Sequence, residues 1–452
     1  MKNDFSKGKI SKHVLSIAGP MILAQLIHVL YNIVDRMFIG RIEEGATLAM
    51  SGLGLCLPII SIMMAFANLC GGGGAPLTSI ARGKGDLDEA EEVMGNAFTL
   101  LIIFSGLLMI IGLMFREPLL VAFGASKDTL PYALDYLTIY LLGTPFTLIG
   151  LGMNSFINAQ GFARDGMIKV LIGAVINIIL DPIFIFVLDM GVAGAAWATI
   201  ISQAASAIWT LYFLLGNRTI LKIKKNRMKL KFNHVKRICT LGLANFIMGF
   251  TNSVVSAVCN TTLQTYGGDM YIAIMTIINS IREIVMLPCN GIASAAQPVI
   301  GFNYGAKKYS RVLETIKFIT ITSFFAGLAI WLGVTIFPQF FIQTFSKDAS
   351  LLADGVHSVR LYFFGFFMMA FQGTGQSIAL GLGKSKQAIF FSIFRKVIIV
   401  APLTLILPKF MGIDGVFVAE AISNYIGGGA CYITMWFTIG KDMKRLAKTE
   451  GN

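Results

Sequence analysis

The chain has 452 residues, of which 55% are hydrophobic and only 13% are charged, against about 25% charged residues in an ordinary soluble domain. This composition excludes a soluble globular protein and predicts an all-α protein that crosses the membrane many times. A formal net charge of +13 would suggest nucleic-acid binding in a soluble protein. Here the basic residues lie between apolar stretches, which indicates membrane orientation and no nucleic-acid partner.

Apolar stretches divided by glycine, proline and charged residues predict twelve membrane-spanning helices. They lie near residues 14–39, 48–75, 93–114, 132–158, 167–188, 193–215, 238–262, 271–298, 314–337, 356–382, 387–407 and 414–438. The first stretch is too long for the core of a signal peptide and has no small-residue cleavage pattern after it. We therefore expect all twelve in the mature protein.

The first span, from Ala18 to Arg41, carries a carboxylate at Asp35, about one and a half turns before its outer end. A carboxylate in or near lipid costs several kcal/mol. Such residues are rare and usually face a protein-lined or watery cavity on a route for ions or substrate. Asp35 is therefore the first candidate functional residue.

Two polar residues, Asn177 and Asp181, interrupt the fifth span four residues apart, so they share one helix face. Pro182 removes a backbone donor and tends to kink the span, which frees carbonyls that can bind a cation. At 1.5 Å per residue, Asp35 lies roughly 6 Å, Asp181 roughly 10 Å and Thr199 roughly 9 Å below the outer ends of their spans. We expect these four polar side chains in one layer.

Two carboxylates that lie close together in a poorly solvated pocket cannot both ionise cheaply. One of them should hold a proton, or a cation such as Na⁺ should neutralise both. The amide of Asn177 and the hydroxyl of Thr199 would complete an oxygen-only shell suited to a hard ion. The alternative interpretation is a structural hydrogen-bond network between helices.

Basic residues concentrate in every second loop, which places both termini in the cytoplasm. The only long basic segment, LKIKKNRMKLKFNHVKR from Leu221, lies in a cytoplasmic linker that we interpret as resting against anionic membrane lipid. The linker divides two similar halves, since a shift of 222 residues aligns Pro76 with Pro298 and Tyr140 with Tyr362.

Each half has six predicted spans, an even number, so the repeat is parallel, with its axis along the membrane normal. Such repeats are typical of secondary transporters. We therefore expect two pseudo-symmetric six-helix lobes around a central cavity. The expected divisions are an N-terminal lobe at 1–216, the linker at 217–237, a C-terminal lobe at 238–440 and a cytoplasmic tail at 441–452.

The second half carries its charged residues in other places than the first. They are Arg282 and Glu283 in the eighth span, Arg395 and Lys396 in the eleventh, and Glu420, the repeat counterpart of Thr199, in the twelfth. We interpret Glu283, Arg395 and Glu420 as a polar network. A buried Glu283–Arg395 ion pair that fixes packing is one interpretation, and substrate recognition is the other.

Signs of catalysis are missing from the sequence. Neither G-x-S-x-G nor H-E-x-x-H occurs. The run GGGGAP from Gly71 lacks the Lys-Ser/Thr of a phosphate loop and lies in a span, which favours close helix packing. The six cysteines fall in apolar segments without C-x-x-C spacing and are expected to be packing residues. The sequence predicts a protein that is not an enzyme and needs no cofactor.

Three motifs together resemble the multidrug and toxic compound extrusion (MATE) family: YNIVDRMFIGR in span one, N-x-x-x-D-P in span five and QPVIGFNYGAKK from Gln297. The resemblance covers essentially the whole chain. It implies a V-shaped antiporter of the cell membrane that works as a monomer. Such a protein expels organic cations or other amphipathic drugs in exchange for inward H⁺ or Na⁺.

The resemblance also implies which residues form the site. Known members hold the coupling ion in the first lobe, and the residues that match that motif are Asp35, Asn177, Asp181 and Thr199. Further candidates for the pocket or for a helix bend are Pro20, Gln25, Tyr136 and Tyr140. One branch of the family has an acidic residue in span seven, where this chain has Asn252. The resemblance is therefore closer to the bacterial branch that relies on the first-lobe site.

Two other functions fit parts of the pattern. A lipid-linked saccharide flippase shares the superfamily architecture, but flippases of that kind tend to have more cationic residues along the cavity, and some have more spans. A membrane channel or scaffold is disfavoured by the two-fold repeat.

Overall fold

The computed structural model describes residues 3–39, 41–42, 46–344 and 349–450. Within these ranges every regular element is helical, which confirms the prediction of an all-α protein. Helices are expected because a chain in lipid must satisfy each backbone N–H and C=O group within its own segment.

Before the linker the chain forms seven α-helices in the described ranges. They are α1 (Ile10–Ile39), α2 (Ala46–Gly83), α3 (Leu87–Ala122), α4 (Leu130–Leu142), α5 (Thr144–Ala159), α6 (Ala163–Pro182) and α7 (Gly191–Leu215). From the linker onward the helices are α8 (Phe232–Gly305), α9 (Tyr309–Ile336), α10 (Pro338–Gln343), α11 (Ala349–Phe363), α12 (Met369–Gly381), α13 (Ser385–Ile393), α14 (Ala401–Ile406), α15 (Pro408–Met411), α16 (Asp414–Met435) and α17 (Lys441–Lys448). The long α8 is interrupted at Gly268, which has φ 66° and ψ −163°.

The chain divides into two compact units. The first consists mainly of Gly19–Leu243, and the second of Asp4–Ala18 together with Ala244–Asn452. The chain therefore passes from one unit to the other inside α1 and again inside α8, and not in a loop. Helices α2 to α7 lie wholly in the first unit and α9 to α17 wholly in the second.

The glycine run of α2 packs tightly against neighbouring helices of the first unit. A Cβ atom at Gly71 would lie 2.5 Å from the Gly152 carbonyl oxygen of α5. A Cβ atom at Gly73 would lie 2.7 Å from the Gly242 nitrogen of α8 and would also overlap the Ile238 carbonyl oxygen. These backbones can approach only because glycine has no Cβ. The run is a helix-packing surface, as the sequence predicted.

We expect Gly73→Ala to destabilise the protein by about 1–3 kcal/mol, because the added methyl group meets backbone atoms that cannot rotate away. Thermal unfolding of detergent-purified protein would measure the loss. Gly54→Ala in the same helix is the control, since nothing lies within 4 Å of its Cβ position. Equal unfolding temperatures for the two variants would contradict the packing role.

The fourth predicted span is bent. Helices α4 and α5 meet at an angle of 57° around Gly143. Pro145 occupies the first turn of α5, where backbone N–H groups make no hydrogen bond within the helix, so the lack of an N–H group in proline costs nothing there. A Cβ atom at Gly143 would lie 2.5 Å from Ile200 Cγ1, so the glycine also lets α7 approach the bend.

A continuous apolar core holds the second unit together. Phe363, Phe366 and Phe417, from three different segments, are each at most 3% exposed and lie in this core. The backbone between α11 and α12 turns at Gly365, whose φ of 71° lies in the left-handed region that favours glycine. The tenth predicted span is therefore a broken helix.

Nine helical segments in the described ranges are long and apolar enough to cross a membrane, and the bent pair α4–α5 makes ten. The protein is thus a multi-pass membrane protein. The other two predicted spans, at 356–382 and 414–438, coincide with α11 and α12 and with α16. Helices α11 and α12 have 15 and 13 residues, fewer than the ~20 that cross a bilayer. The number twelve stays a prediction.

The basic linker contacts acidic residues at the start of α3. Lys224 Nζ lies 2.7 Å from Glu91 Oε2, and Arg227 Nη1 lies 2.8 Å from Glu92 Oε1. Further ion pairs join Arg227 to Asp88, Lys231 to Glu92 and Arg237 to Glu89. Protein carboxylates therefore neutralise several of the linker cations that the sequence had suggested would face anionic lipid.

Candidate functional site

Two of the predicted site residues, Asn177 and Asp181, lie buried on one face of α6. Asp181 is fully buried and Asn177 is 1% exposed. Asn177 Nδ2 donates a hydrogen bond to Asp181 Oδ1 at 3.1 Å. The spacing of four residues places the amide one turn below the carboxyl group, so this contact follows directly from the sequence.

Asp35 of α1 joins this pair from a second helix of the first unit. Its side chain is 9% exposed, and its carboxyl group lies within hydrogen-bonding range of the Asp181 carboxyl group. Two carboxyl groups can hydrogen-bond to each other only when a proton lies between them, and a bound cation is the other way to relieve their repulsion. The structure thus brings together two carboxylates that the sequence separates by 146 residues.

Two buried acceptor atoms at the carboxyl pair, Asn177 Oδ1 and Asp181 Oδ2, receive no hydrogen bond from an N–H or O–H donor in the described part of the chain. Buried acceptors without donors are costly, and a proton or a cation would satisfy them. The described residues contain no group of three or more His, Cys, Asp or Glu side chains that could hold a metal ion, so a bound cation would also need amide or hydroxyl oxygens.

Two tyrosines of α4 form a wall beside the carboxyl pair. Tyr136 and Tyr140 are each 4% exposed, and their rings stack with centroids 6.0 Å apart. The Tyr136 hydroxyl lies within hydrogen-bonding range of the Thr199 side chain on α7 and within electrostatic range of Asp35. Thr199 is therefore linked to the carboxyl pair through Tyr136, and its place in the predicted layer stays a prediction.

Tyr31 was missed by the sequence analysis. It lies within electrostatic range of both Asp35 and Asp181. Because Tyr31 precedes Asp35 by four residues, both project from the same face of α1. This spacing was the signal in the sequence that could have identified it.

The backbone after Asp181 departs from α-helical geometry. Pro182 ends α6, and Ile183–Val187 form a π-helical turn. Short π-helical turns often occur at functional sites, and here the proline lacks the N–H group that a regular helix would use. A Cβ atom at Gly194 would lie 2.7 Å from the Phe184 carbonyl oxygen, so α7 packs directly on this turn. The predicted irregularity at Pro182 is therefore present, and α7 supports it.

The other two candidates of the first span lie outside this cluster of contacts. Pro20 stands inside α1, which continues through it. Gln25 is partly buried in the same helix, ten residues before Asp35. At 1.5 Å per residue this separation is about 15 Å, so Gln25 does not belong to the carboxyl layer.

The predicted polar network of the second unit has a different pairing from the one suggested. Arg395, 1% exposed, donates to Glu420 Oε1 and to Asn424 Oδ1. Glu283 is exposed and makes no ion pair within the described ranges. The interpretation of Glu283 and Arg395 as a buried ion pair was therefore wrong, because Glu283 projects from a face of α8 that does not meet Arg395.

Comparisons with known proteins agree with this architecture. The MatE family model matches residues 20–183 and again residues 245–406, which together make up more than half of the chain. The multidrug export protein MepA of Staphylococcus haemolyticus is 29% identical over 430 residues, with 93% of each chain covered. MepA of Staphylococcus aureus strain MRSA252 is 26% identical over 416 residues, covering 91% of this chain and 90% of the relative.

Solved structures show the same fold. A multidrug resistance MATE family transporter of the MOP superfamily, in an outward-facing conformation, aligns with a TM-score of 0.90 at 22% identity over 98% of both chains. A MATE protein in the bent conformation aligns with a TM-score of 0.91 at 22% identity over the same share.

Proposed function

The chain belongs to the MatE family of membrane transporters, and we propose that it is a secondary antiporter that exports organic cations and amphipathic drugs in exchange for inward H⁺ or Na⁺. Its relatives named as multidrug export proteins support drug export over lipid-linked saccharide flipping and over a channel. It is a transporter and not an enzyme.

The contact between the Asp35 and Asp181 carboxyl groups is the observation that carries the coupling proposal. A buried carboxyl pair is unstable when both groups are ionised, so it takes up a proton or a cation from whichever side has access. Asn177 and Thr199 supply the neutral oxygens that favour either ion. Release of the ion on the other side of the membrane would complete the exchange.

Coupling would arise from competition between ion and drug. Ion binding relieves repulsion between α1 and α6, and so changes how α1, α6 and α7 pack within the first unit. If the drug binds less tightly to the ion-loaded packing, linkage requires the drug to weaken ion binding by the same factor. The electrochemical gradient of the ion would then drive drug export.

The finer architecture is part of the same proposal. Twelve spans would form a parallel repeat of two six-helix lobes, in agreement with the two matches to the family model. The charge bias of the loops supports a cell-membrane protein with both termini in the cytoplasm. We expect it to work as a monomer in contact with membrane lipids.

Dye flux into proteoliposomes tests this function. The purified protein is reconstituted, rhodamine 6G is supplied as a fluorescent organic cation, and a pH gradient or a Na⁺ gradient is imposed in separate experiments. We expect one gradient to drive dye movement above that of protein-free vesicles, which would also identify the coupling ion. No response to either gradient would reject the antiporter and turn attention to lipid-linked substrates.

A further inference from the structure

Positive charge predominates in a cluster within the second unit. Arg282, Arg395 and Lys396 all lie within electrostatic range of a single carboxylate, Glu420. The four residues come from α8, from a π-helical turn at Phe394–Val400, and from α16. Two arginines, which stay charged, and a lysine lie around one carboxylate, so positive charge is in excess. Such a surplus is costly inside a membrane unless another anion compensates it.

The same cluster has more hydrogen-bond donors than acceptors. Arg395 Nη2 donates to Asn424 Oδ1 at 2.7 Å, which fixes the orientation of the amide and makes Nδ2 a donor. Asn424 Nδ2 and Arg395 Nε are buried and meet no acceptor in the part of the chain that the structure describes. Lys396, which is partly buried, makes no hydrogen bond or ion pair there either. An acceptor bound at the cluster would satisfy these donors.

Close packing and a side-chain hydrogen bond hold the two arginines in place. Arg395 packs against Gly427, where a Cβ atom would lie 2.6 Å from Arg395 Cγ. Arg282 Nη1 donates to the Tyr362 hydroxyl at 3.0 Å. Both Arg395 and Lys396 belong to the π-helical turn, a geometry that often marks functional sites. A site whose groups are already positioned loses little entropy when a ligand binds.

We propose that Arg282, Arg395, Lys396 and Asn424 form a binding site for an anionic group, such as a carboxylate, sulfonate or phosphate, on a transported molecule. Arg282 and Lys396, both partly buried, form the accessible side of this anion site, and Arg395 and Asn424 form its floor. A purely structural network would be expected to balance its charges. This network does not balance its charges, and its excess positive charge is complementary to an acidic group on a ligand.

The anion site rests on the proposed drug-export function and narrows its substrates. The first unit carries a carboxyl pair and the second a cationic cluster, so the two units contain sites of opposite charge. Amphipathic molecules that bear a carboxylate would therefore bind the second-unit cluster. Organic cations without an anionic group would not use the second-unit cluster.

A matched pair of dyes tests the anion site. Rhodamine 6G is a cationic ethyl ester, and its free-acid form differs by one exposed carboxylate. We expect Lys396→Gln to weaken binding and raise the KM of the free acid by about tenfold, because a charge-assisted hydrogen bond is lost, while the ester is unaffected. Lys396→Arg keeps the charge and should retain near wild-type values. Arg282→Gln, which removes the cation contributed by α8, should repeat the loss.

Fluorescence anisotropy of the detergent-purified protein measures binding separately from transport. Charge-dependent binding of the free acid without any gradient-driven flux would reject the antiporter but keep the anion site. The anion site would be overturned if the variants bound both dyes equally less tightly. It would also be overturned if neither Lys396→Gln nor Arg282→Gln weakened the binding of either dye. Thermal unfolding establishes that each variant is folded. If Lys396→Gln does not fold, the binding of the two dyes by Arg282→Gln tests the anion site.

A lipid phosphate has the same chemistry as a substrate anion, and lipid composition distinguishes them. Free-acid binding is measured in phosphatidylcholine nanodiscs with and without phosphatidylglycerol. Unchanged binding supports a substrate site. Loss of binding in phosphatidylglycerol that Lys396→Gln restores would assign the cluster to lipid and overturn the substrate assignment.

Discussion

Replacement of Asp35 by Asn is expected to abolish ion-driven dye export and reduce flux to that of protein-free vesicles. The amide cannot bind and release a proton at physiological pH, and it removes one of two charges that would hold Na⁺. Export would fail because the gradient no longer changes the state of the site. Rhodamine 6G flux under the active gradient provides the measurement.

The fold should survive this substitution, since Asn has the shape of Asp and can donate a hydrogen bond to the Asp181 carboxyl group. Binding of the dye without a gradient should therefore persist. Asp135→Asn, at an exposed position of α4 in the same unit, is the control and should transport normally. Full gradient-driven export by Asp35→Asn, with Asp135→Asn also active, would show that Asp35 does not couple ion and drug.

Replacement of Glu420 by Leu is expected to lower the free energy of unfolding by about 3–5 kcal/mol. The substitution leaves Arg395, 1% exposed, without its carboxylate partner in a region where positive charge already predominates. An uncompensated buried charge costs more than the intact ion pair contributes. Chemical or thermal unfolding in detergent, compared with wild type, measures the change.

The double variant Arg395→Leu with Glu420→Leu should recover most of that stability, because a buried ion pair can be replaced by apolar side chains with little loss. Glu283→Leu serves as the control from the same unit, since Glu283 is exposed and unpaired in the described ranges. A double variant as unstable as the single one would mean that Glu420 acts through packing and not through charge.

Local sequence spacing predicted much of the carboxyl site. Asn177 and Asp181 meet because four residues make about one helical turn, and Pro182 marks an irregular turn because proline lacks an N–H group. Counting 1.5 Å per residue from the span ends placed Asp35 and Asp181 at similar depths, and their carboxyl groups do make contact. These predictions use distances along one helix axis, which the sequence specifies.

Rotation of one helix relative to another was harder to predict. The sequence suggested Glu283 as the partner of Arg395, and only the orientation of α8 and α16 shows that Glu420 is the partner. The linker is a similar case, since a basic segment is attracted to anionic lipid and to protein carboxylates alike. Folding places it against Glu91 and Glu92 at the start of α3.

The sequence by itself was sufficient to predict a multi-pass helical membrane protein, its internal repeat and the charged residues within its spans. Hydrophobic length and loop charge depend on residue order alone. Only the tertiary structure decided which charges meet and which remain unpaired. Side-chain pairing between spans depends on how each helix is rotated and how closely backbones approach at positions such as Gly73 and Gly427, and packing of the whole unit sets these quantities.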